Sequence, residues 1–178
     1  EEIEHLAKTR PWDWIITFHP KLTDPEIIAG YKRIAAGNAN VTFYEGSDKM
    51  PLLQQADVML CDSSSIILEF MFLDKPVVTF RNSHPGPHLI DVGRPEEVGP
   101  AIERALTYPG ELMREIRDYT MHHEPHRDCR CSARVLDAVD DYIACGHVGL
   151  KRKPRNWVRK WKLRRQMHYW PLFEKFRR

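Results

Sequence analysis

Through its first 110 residues the chain alternates short apolar runs with stretches of helical pattern. Asp13-Trp14-Ile15-Ile16-Thr17-Phe18 has the length and make-up of a strand and stops at His19-Pro20. Thr23-Asp24-Pro25-Glu26 starts a helix, with Thr or Asp as the cap and Pro in the first turn, and the pattern carries it to about Ala36. After the turn at Asn38-Ala39-Asn40, Val41–Tyr44 reads as the next strand, followed by Gly46-Ser47-Asp48. Pro51–Ala56 predicts a short helix, Val58–Cys61 a strand, Ser63–Leu73 a helix and Pro76–Phe80 another strand. This rhythm means βαβ units and a parallel sheet, and the continuous apolar run at Val58–Leu60 predicts burial on both faces. A Pro/Gly-rich loop, Asn82–His88, comes next, and then helices over about Pro95–Leu106, Gly110–Met121 and Ser132–Cys145. The expected fold is α/β: a Rossmann-like parallel sheet with flanking helices in residues 1–150, and a basic, aromatic helical tail in 151–178.

The 178 residues suffice for one domain with a proper core, and 42% hydrophobic with 29% charged residues is ordinary for a globular chain. No apolar run reaches membrane-spanning length, and Glu1-Glu2-Ile3-Glu4 does not open a secretory leader. The missing initiator Met predicts a piece of a longer protein. The net charge of +2 conceals an asymmetry: Lys151–Arg178 holds twelve Lys/Arg against one acid, leaving fifteen against twenty-four in residues 1–150. An acidic body with a basic tail predicts an anionic contact for the tail. Four cysteines in a chain of this length form no disulfide framework and fit a reduced, cytoplasmic protein.

Three features carry candidate chemistry. Ligands of open α/β sheets sit beyond the carboxyl ends of the strands, where His19 could donate to a phosphate oxygen with Pro20 fixing the turn; a plain surface histidine is the alternative. Asp62-Ser63-Ser64-Ser65, between a strand and a helix, offers hydroxyls and free backbone N–H groups to an anion, or simply caps the helix. Glu69 lies within an otherwise apolar run, so its burial would demand a partner such as sugar or glycerol hydroxyls; an ion pair or a solvent-facing position is the alternative.

Strand-His19-Pro20, strand-Gly46-Ser47, then Asp62-Ser63-Ser64-Ser65 with Glu69 and Asp74-Lys75-Pro76 together resemble the CDP-glycerol glycerophosphotransferases. The run Ala56–Val78 carries most of the likeness, and Asp128-Cys129-Arg130-Cys131-Ser132-Ala133-Arg134 resembles a later pattern of that family. The resemblance implies the nucleotide-binding C-terminal half of a two-domain GT-B fold, with the N-terminal half missing and expected to hold the general base. It implies donor contacts from His19, Ser47, Asp62, Ser64, Ser65 and Glu69, with His19 and the serine pair stabilising charge on the diphosphate, and needs no cofactor. The activity implied is transfer of glycerol phosphate from CDP-glycerol to a hydroxyl of a lipid-linked acceptor, as in teichoic acid synthesis, with release of CMP. The chain departs from the family at Ser63 (usually aromatic), Glu69 (commonly Asp), Cys129 (Gly) and Thr17 (often basic). Glycosyltransferases with CMP- or UDP-sugar donors, and non-hydrolysing sugar-nucleotide epimerases, share the scaffold and stay open, as does a non-catalytic adaptor.

His122-His123-Glu124-Pro125-His126-Arg127-Asp128-Cys129-Arg130-Cys131 is rich in metal-ligating residue types but lacks the spacing of a zinc site, so a polar inter-helix loop is expected and no metal. Cys145-Gly146-His147 is read in the same way. In the tail, Trp157 and Trp161 lie four apart on one helix face, interrupted by Arg164 and Arg165. These four residues are the expected contact with an anionic membrane surface, on the inner face of the cell membrane. Nucleic acid ranks well below, because the body carries no matching motif.

Overall fold

The computed structural model describes residues 1–19, 21–146 and 154–169. Pro20, His147, the expected border at 150/151 and the tail aromatics Trp170, Phe173 and Phe176 lie outside the described residues. Two compact units form, Glu1–Arg127 and Asp128–Arg178.

Among the described residues the first unit contains five strands: β1 (Trp14–Ile16), β2 (Val41–Phe43), β3 (Met59–Cys61), β4 (Val77–Phe80) and β5 (Ile90–Val92). β1 pairs in parallel with β2 through Ile15 opposite Thr42. The order β3-β4-β5 makes a second parallel sheet, with Leu60 opposite Val78 and Thr79 opposite Asp91. The α/β class and parallel pairing agree with the sequence pattern, and the arrangement is Rossmann-like. The strands are shorter than their apolar runs. The central strand, β4, is buried from Val77 to Thr79, whereas β3 is only half-buried, so the expectation of two-sided burial belongs to β4.

With them among the described residues are the helices α1 (Glu2–Thr9), α2 (Pro25–Gly37), α3 (Met50–Gln55), α4 (Ile66–Met71), α5 (Val98–Leu106) and α6 (Gly110–His123). The Asp24 carboxylate caps α2 by accepting from the Glu26 and Ile27 N–H groups, as the Asp-Pro start predicts. α5 buries Val98, Ala101, Ile102 and Ala105, a stripe at helical spacing, and packs on β4 and β5. Phe70 and Met71 of α4 and Ile116 of α6 complete a core in which Phe70, Val77, Val78 and Ile116 are fully buried.

Two elements escaped the sequence reading. α1 docks Leu6 and Ala7 on the body, and a Cβ on Gly99 would stand 2.9 Å from Leu6 Cδ2, so glycine admits this close approach. β5 follows the Pro/Gly-rich loop, and its three residues Ile90-Asp91-Val92 are too few for a visible alternation. The Lys75 of the Asp-Lys-Pro turn has a structural duty. Its ammonium donates to the Leu53, Gln54 and Ala56 carbonyls at 2.6–3.1 Å and so caps the C-terminus of α3.

The second unit holds α7 (Cys131–Ala144) and α8 (Trp157–Gln166), neither with a buried residue. Asp128 pairs with Arg134 at the start of α7, with Arg134 Nη1 2.9 Å from Asp128 Oδ1, and the guanidinium holds the Asp128 carboxyl below its ordinary range. Cys129 adopts φ 59°, the left-handed region that favours glycine. The departure from glycine noted in the sequence therefore sits on a backbone suited to glycine.

Candidate functional site

Two groups of side chains gather at the carboxyl ends of the parallel strands. The first stitches the loop after β3 to the loop after β4. The Ser63 hydroxyl accepts from the Ser83 N–H at 3.0 Å and from the Ser83 hydroxyl at 3.1 Å. The Asn82 amide donates to the Asp62 carbonyl at 2.8 Å. Asp91 on β5 ties strand β4 to the loop that follows it, its Oδ1 accepting from the Thr79 hydroxyl at 2.7 Å and from the Asn82 N–H at 2.9 Å. Thr79 is fully buried, so this carboxylate settles a hydroxyl that has no access to water. Ser83 Oγ lies 3.0 Å from His84 Nδ1, and the His84 N–H donates to Asn82 Oδ1.

This stitching sorts the serines. Ser63 is spent on the loop–loop contact, which explains why a serine suits the position where the resembling family carries an aromatic. Ser64 Oγ stands a marginal 3.5 Å from the Ile66 N–H, and Ser65 makes no side-chain cap although it precedes α4. The helix expected over Ser63–Leu73 is thus only Ile66–Met71, because the serines form the loop rather than its first turn. Asp62 is exposed, and its carbonyl is held by Asn82. Glu69 is also exposed, with no hydrogen-bond or ion-pair partner among the described residues. The argument that burial forces a partner on Glu69 is therefore corrected: water already solvates the carboxylate, and an incoming hydroxyl would find it open. Cys61, just before Asp62, is not a nucleophile at neutral pH: burial, with a smaller contribution from Asp62, pushes its thiol up to about 12.

The second group lies beyond β1 and β2. His19 is exposed and its Nδ1 accepts from the Lys21 N–H at 3.1 Å, which places the proton of the neutral ring on Nε2 as a free donor. The Lys49 ammonium donates to the Thr17 hydroxyl and lies 4.9 Å from the centre of the Tyr44 ring. Tyr44 in turn donates from its hydroxyl to the Asp48 carbonyl at 2.9 Å. Ser47 is exposed beside this turn. A cavity of about 280 Å³ runs along the two strands, lined among others by Trp14, Thr42, Tyr44 and Gln55. Lys49, Asn82, Ser83, His84 and Asp91 received no role from the sequence. The usable signal was position: each follows a parallel strand or sits on its neighbour.

The histidine-rich segment resolves into packing. His88 stacks on Tyr119 at 3.7 Å, and His123 Nδ1 lies 2.9 Å from the Tyr119 carbonyl. Arg127 pairs with Asp74 at 3.2 Å and lies 5.6 Å from the Phe72 ring. Among the described residues no three His, Cys, Asp or Glu side chains are grouped to hold a metal ion. In the second unit, Trp157 and Trp161 are 66% and 51% exposed, with Lys160 and Arg165 near their respective rings. At 100° per residue, Arg159, Lys160, Lys162, Arg164 and Arg165 fall all round α8, so no apolar face is set apart from a charged one. A hollow of about 800 Å³ there is lined by α8 and its cap alone, Asn156 to Leu163, and encloses none of the strand-end residues. No helix among the described residues is long and apolar enough to cross a membrane.

No family model matches the chain, and no solved structure matches it. Curated relatives do. A "Probable UDP-N-acetylglucosamine 2-epimerase" of Ralstonia solanacearum is 27% identical over 132 residues, covering 71% of this chain and 35% of that protein. The UDP-N-acetylglucosamine 2-epimerase of Salmonella typhimurium strain LT2 is 29% identical over 130 residues, covering 70% and 35%. That of Escherichia coli K12 is 25% identical over 127 residues, covering 68% and 34%. The chain thus spans about a third of the length of these relatives, which are nucleotide-sugar enzymes. The comparison points to that class and not to the glycerophosphotransferases.

Proposed function

We propose that the chain is the nucleotide-binding part of a GT-B-type enzyme that takes a UDP-sugar of the N-acetylhexosamine kind. The observation that carries this reading is the set of relatives, all named for one UDP-sugar and aligned over most of this chain. The strand-end geometry supports it. With Ser63 engaged by Ser83, the hydroxyls of Ser64 and Ser65 remain for the oxygens of a diphosphate. His19 Nε2–H donates to the same charge, and a fixed donor of this kind stabilises negative charge that builds up as the sugar–phosphate bond weakens. Glu69, open to solvent, and Ser47 take hydroxyls of the donor, with Asp62 at the loop entrance.

Groups that act on the sugar carbons belong, in this reading, to a second half corresponding to the remaining length of the relatives. The 178-residue chain therefore binds nucleotide without turning it over. Calorimetric titration with UDP, UDP-N-acetylglucosamine, CMP and CDP-glycerol tests the reading. Saturable, uridine-selective binding that His19→Ala weakens about tenfold is expected. Selectivity for CDP-glycerol would replace the proposal with glycerol phosphate transfer to a lipid-linked acceptor. That second reading rests on the run Ala56–Val78. Its Lys75 is already accounted for by the α3 cap. It would also place α8, through Trp157, Trp161, Arg164 and Arg165, on an anionic membrane, as cosedimentation with phosphatidylserine vesicles would reveal.

A further inference from the structure

We infer that Lys49 is a phosphate-binding residue, a cation held ready beyond β1 and β2 for the charged part of the donor. The inference rests on the nucleotide reading above and adds to it a residue and a subsite.

The ammonium is half-buried, yet both of its close partners are neutral: the Thr17 hydroxyl, which it donates to, and the Tyr44 ring beneath it. A hydroxyl and a ring face leave at least one ammonium proton without an acceptor. The acids nearest in sequence are engaged elsewhere. Glu45 is ion-paired with Lys32 at 2.7 Å, and Asp48 Oδ1 accepts from the Met50 N–H at 3.0 Å. Among the described residues no carboxylate lies within ion-pair distance of Lys49. A partly desolvated cation without a counter-ion is costly unless an anion arrives, and an anion that does arrive is held more strongly than at the open surface.

The setting is built for this side chain. Tyr44 is pinned by its hydroxyl to the Asp48 carbonyl, and its ring has room only because residue 46 is glycine: a Cβ there would stand 2.2 Å from Tyr44 Oη. Thr17, which accepts from the ammonium, is two residues before His19 on the segment that follows β1. Strand ends of a parallel sheet are where such ligands settle.

The test uses the full chain with three probes, UDP, uridine and inorganic pyrophosphate, titrated against wild type, Lys49→Met and Lys49→Arg, with thermal melts alongside. A phosphate-binding Lys49 predicts that Lys49→Met weakens UDP and pyrophosphate about tenfold, leaves uridine unchanged, and is partly restored by arginine. It also predicts a salt dependence of UDP binding that flattens in Lys49→Met. If wild type binds UDP and Lys49→Met binds it equally well, the inference is overturned while the nucleotide reading stands. If pyrophosphate binds through Lys49 but UDP binds no better than pyrophosphate, the anion site stands and the uridine reading falls. Equal loss of uridine and UDP with a lowered melting temperature would make Lys49 a structural clamp and overturn the inference.

Discussion

The two strand-end groups reach order by opposite means. Beyond β3 and β4, polar groups close on one another: Ser63 with Ser83, Asn82 with the Asp62 carbonyl, and the Asp91 carboxylate with two donors. Beyond β1 and β2, a cation and an imidazole are held by single contacts, Lys49 on Thr17 and His19 on the Lys21 N–H. The first arrangement is satisfied without a ligand and fixes loop shape. The second is left unsatisfied and favours a ligand of opposite charge. A site can divide its work in this way, with rigidity supplied by one edge and charge by the other. The division predicts that variants of the stitching residues Ser63, Asn82, Ser83 and Asp91 act mainly on stability, and variants of Lys49 and His19 mainly on binding.

Asp91→Ala breaks the comparison hardest. It strips the acceptor from the fully buried Thr79 hydroxyl and from the Asn82 N–H at once. Hydrogen bonds to a charged group contribute roughly 1.5–3 kcal/mol each, and a stranded buried hydroxyl adds its desolvation. A loss of about 2–3 kcal/mol in urea unfolding is expected. Replacing Thr79 by Val in the same background should restore part of it, because the stranded hydroxyl is gone. A double variant no more stable than Asp91→Ala would show that the carboxylate serves the Asn82 loop alone.

Gly46→Ala tests the other edge. The new methyl would collide with Tyr44, whose Oη, Cζ and Cε1 stand at 2.2–2.8 Å from it. The ring must leave its bond to Asp48, and Lys49 loses its support. Forced repacking of this kind costs about 1–2 kcal/mol. The loss of UDP affinity should be proportionally greater than for Asp91→Ala, measured in parallel by calorimetry and urea unfolding. The opposite ranking would dissolve the contrast between the edges.

How much of this could be read from the sequence follows from physical range. The βαβ order, the Asp24 cap and the helices through α7 rest on local pattern and were legible. β5 and α1 were not, since three residues show no period and α1 is fixed by Leu6 against Gly99, far along the chain. Glu69 misled because an apolar neighbourhood in sequence is not burial in space: on α4 its neighbours Phe70 and Met71 turn inward while Glu69 stays in solvent. His19, Ser64 and Ser65 became candidates through their strand-end position. Lys49 and Asp91 needed contacts across 32 and 12 residues to show any role. In the motif that suggested the donor, Lys75 encodes a helix cap.

The smallest expected effect concerns pH at the far end of the stitched loop. His88 ends the loop that Ser83 begins, stacked on Tyr119, with Gly86 leaving space for the ring: a Cβ there would lie 2.6 Å from His88 Cε1. Burial, and then the nearby His123, hold the His88 imidazole below its ordinary value of 6.5, with Glu115 opposing. Its charged form is therefore disfavoured in the fold relative to the unfolded chain. Above the unfolded value both states are neutral and this contribution is fully present. As pH falls below about 6.5 the unfolded chain takes up the proton first, so stability drops until the folded pKa is passed. Unfolding midpoints at pH 7.5 and 5.5 should differ more in wild type than in His88→Gln, which keeps a polar side chain but does not titrate. Partial exposure keeps this difference below that of Gly46→Ala. The stitched edge would then lose its far anchor in mild acid, while the Ser63–Ser83 contact, made of groups that do not titrate, holds; if His88→Gln keeps the full wild-type slope, the acid sensitivity belongs to other groups.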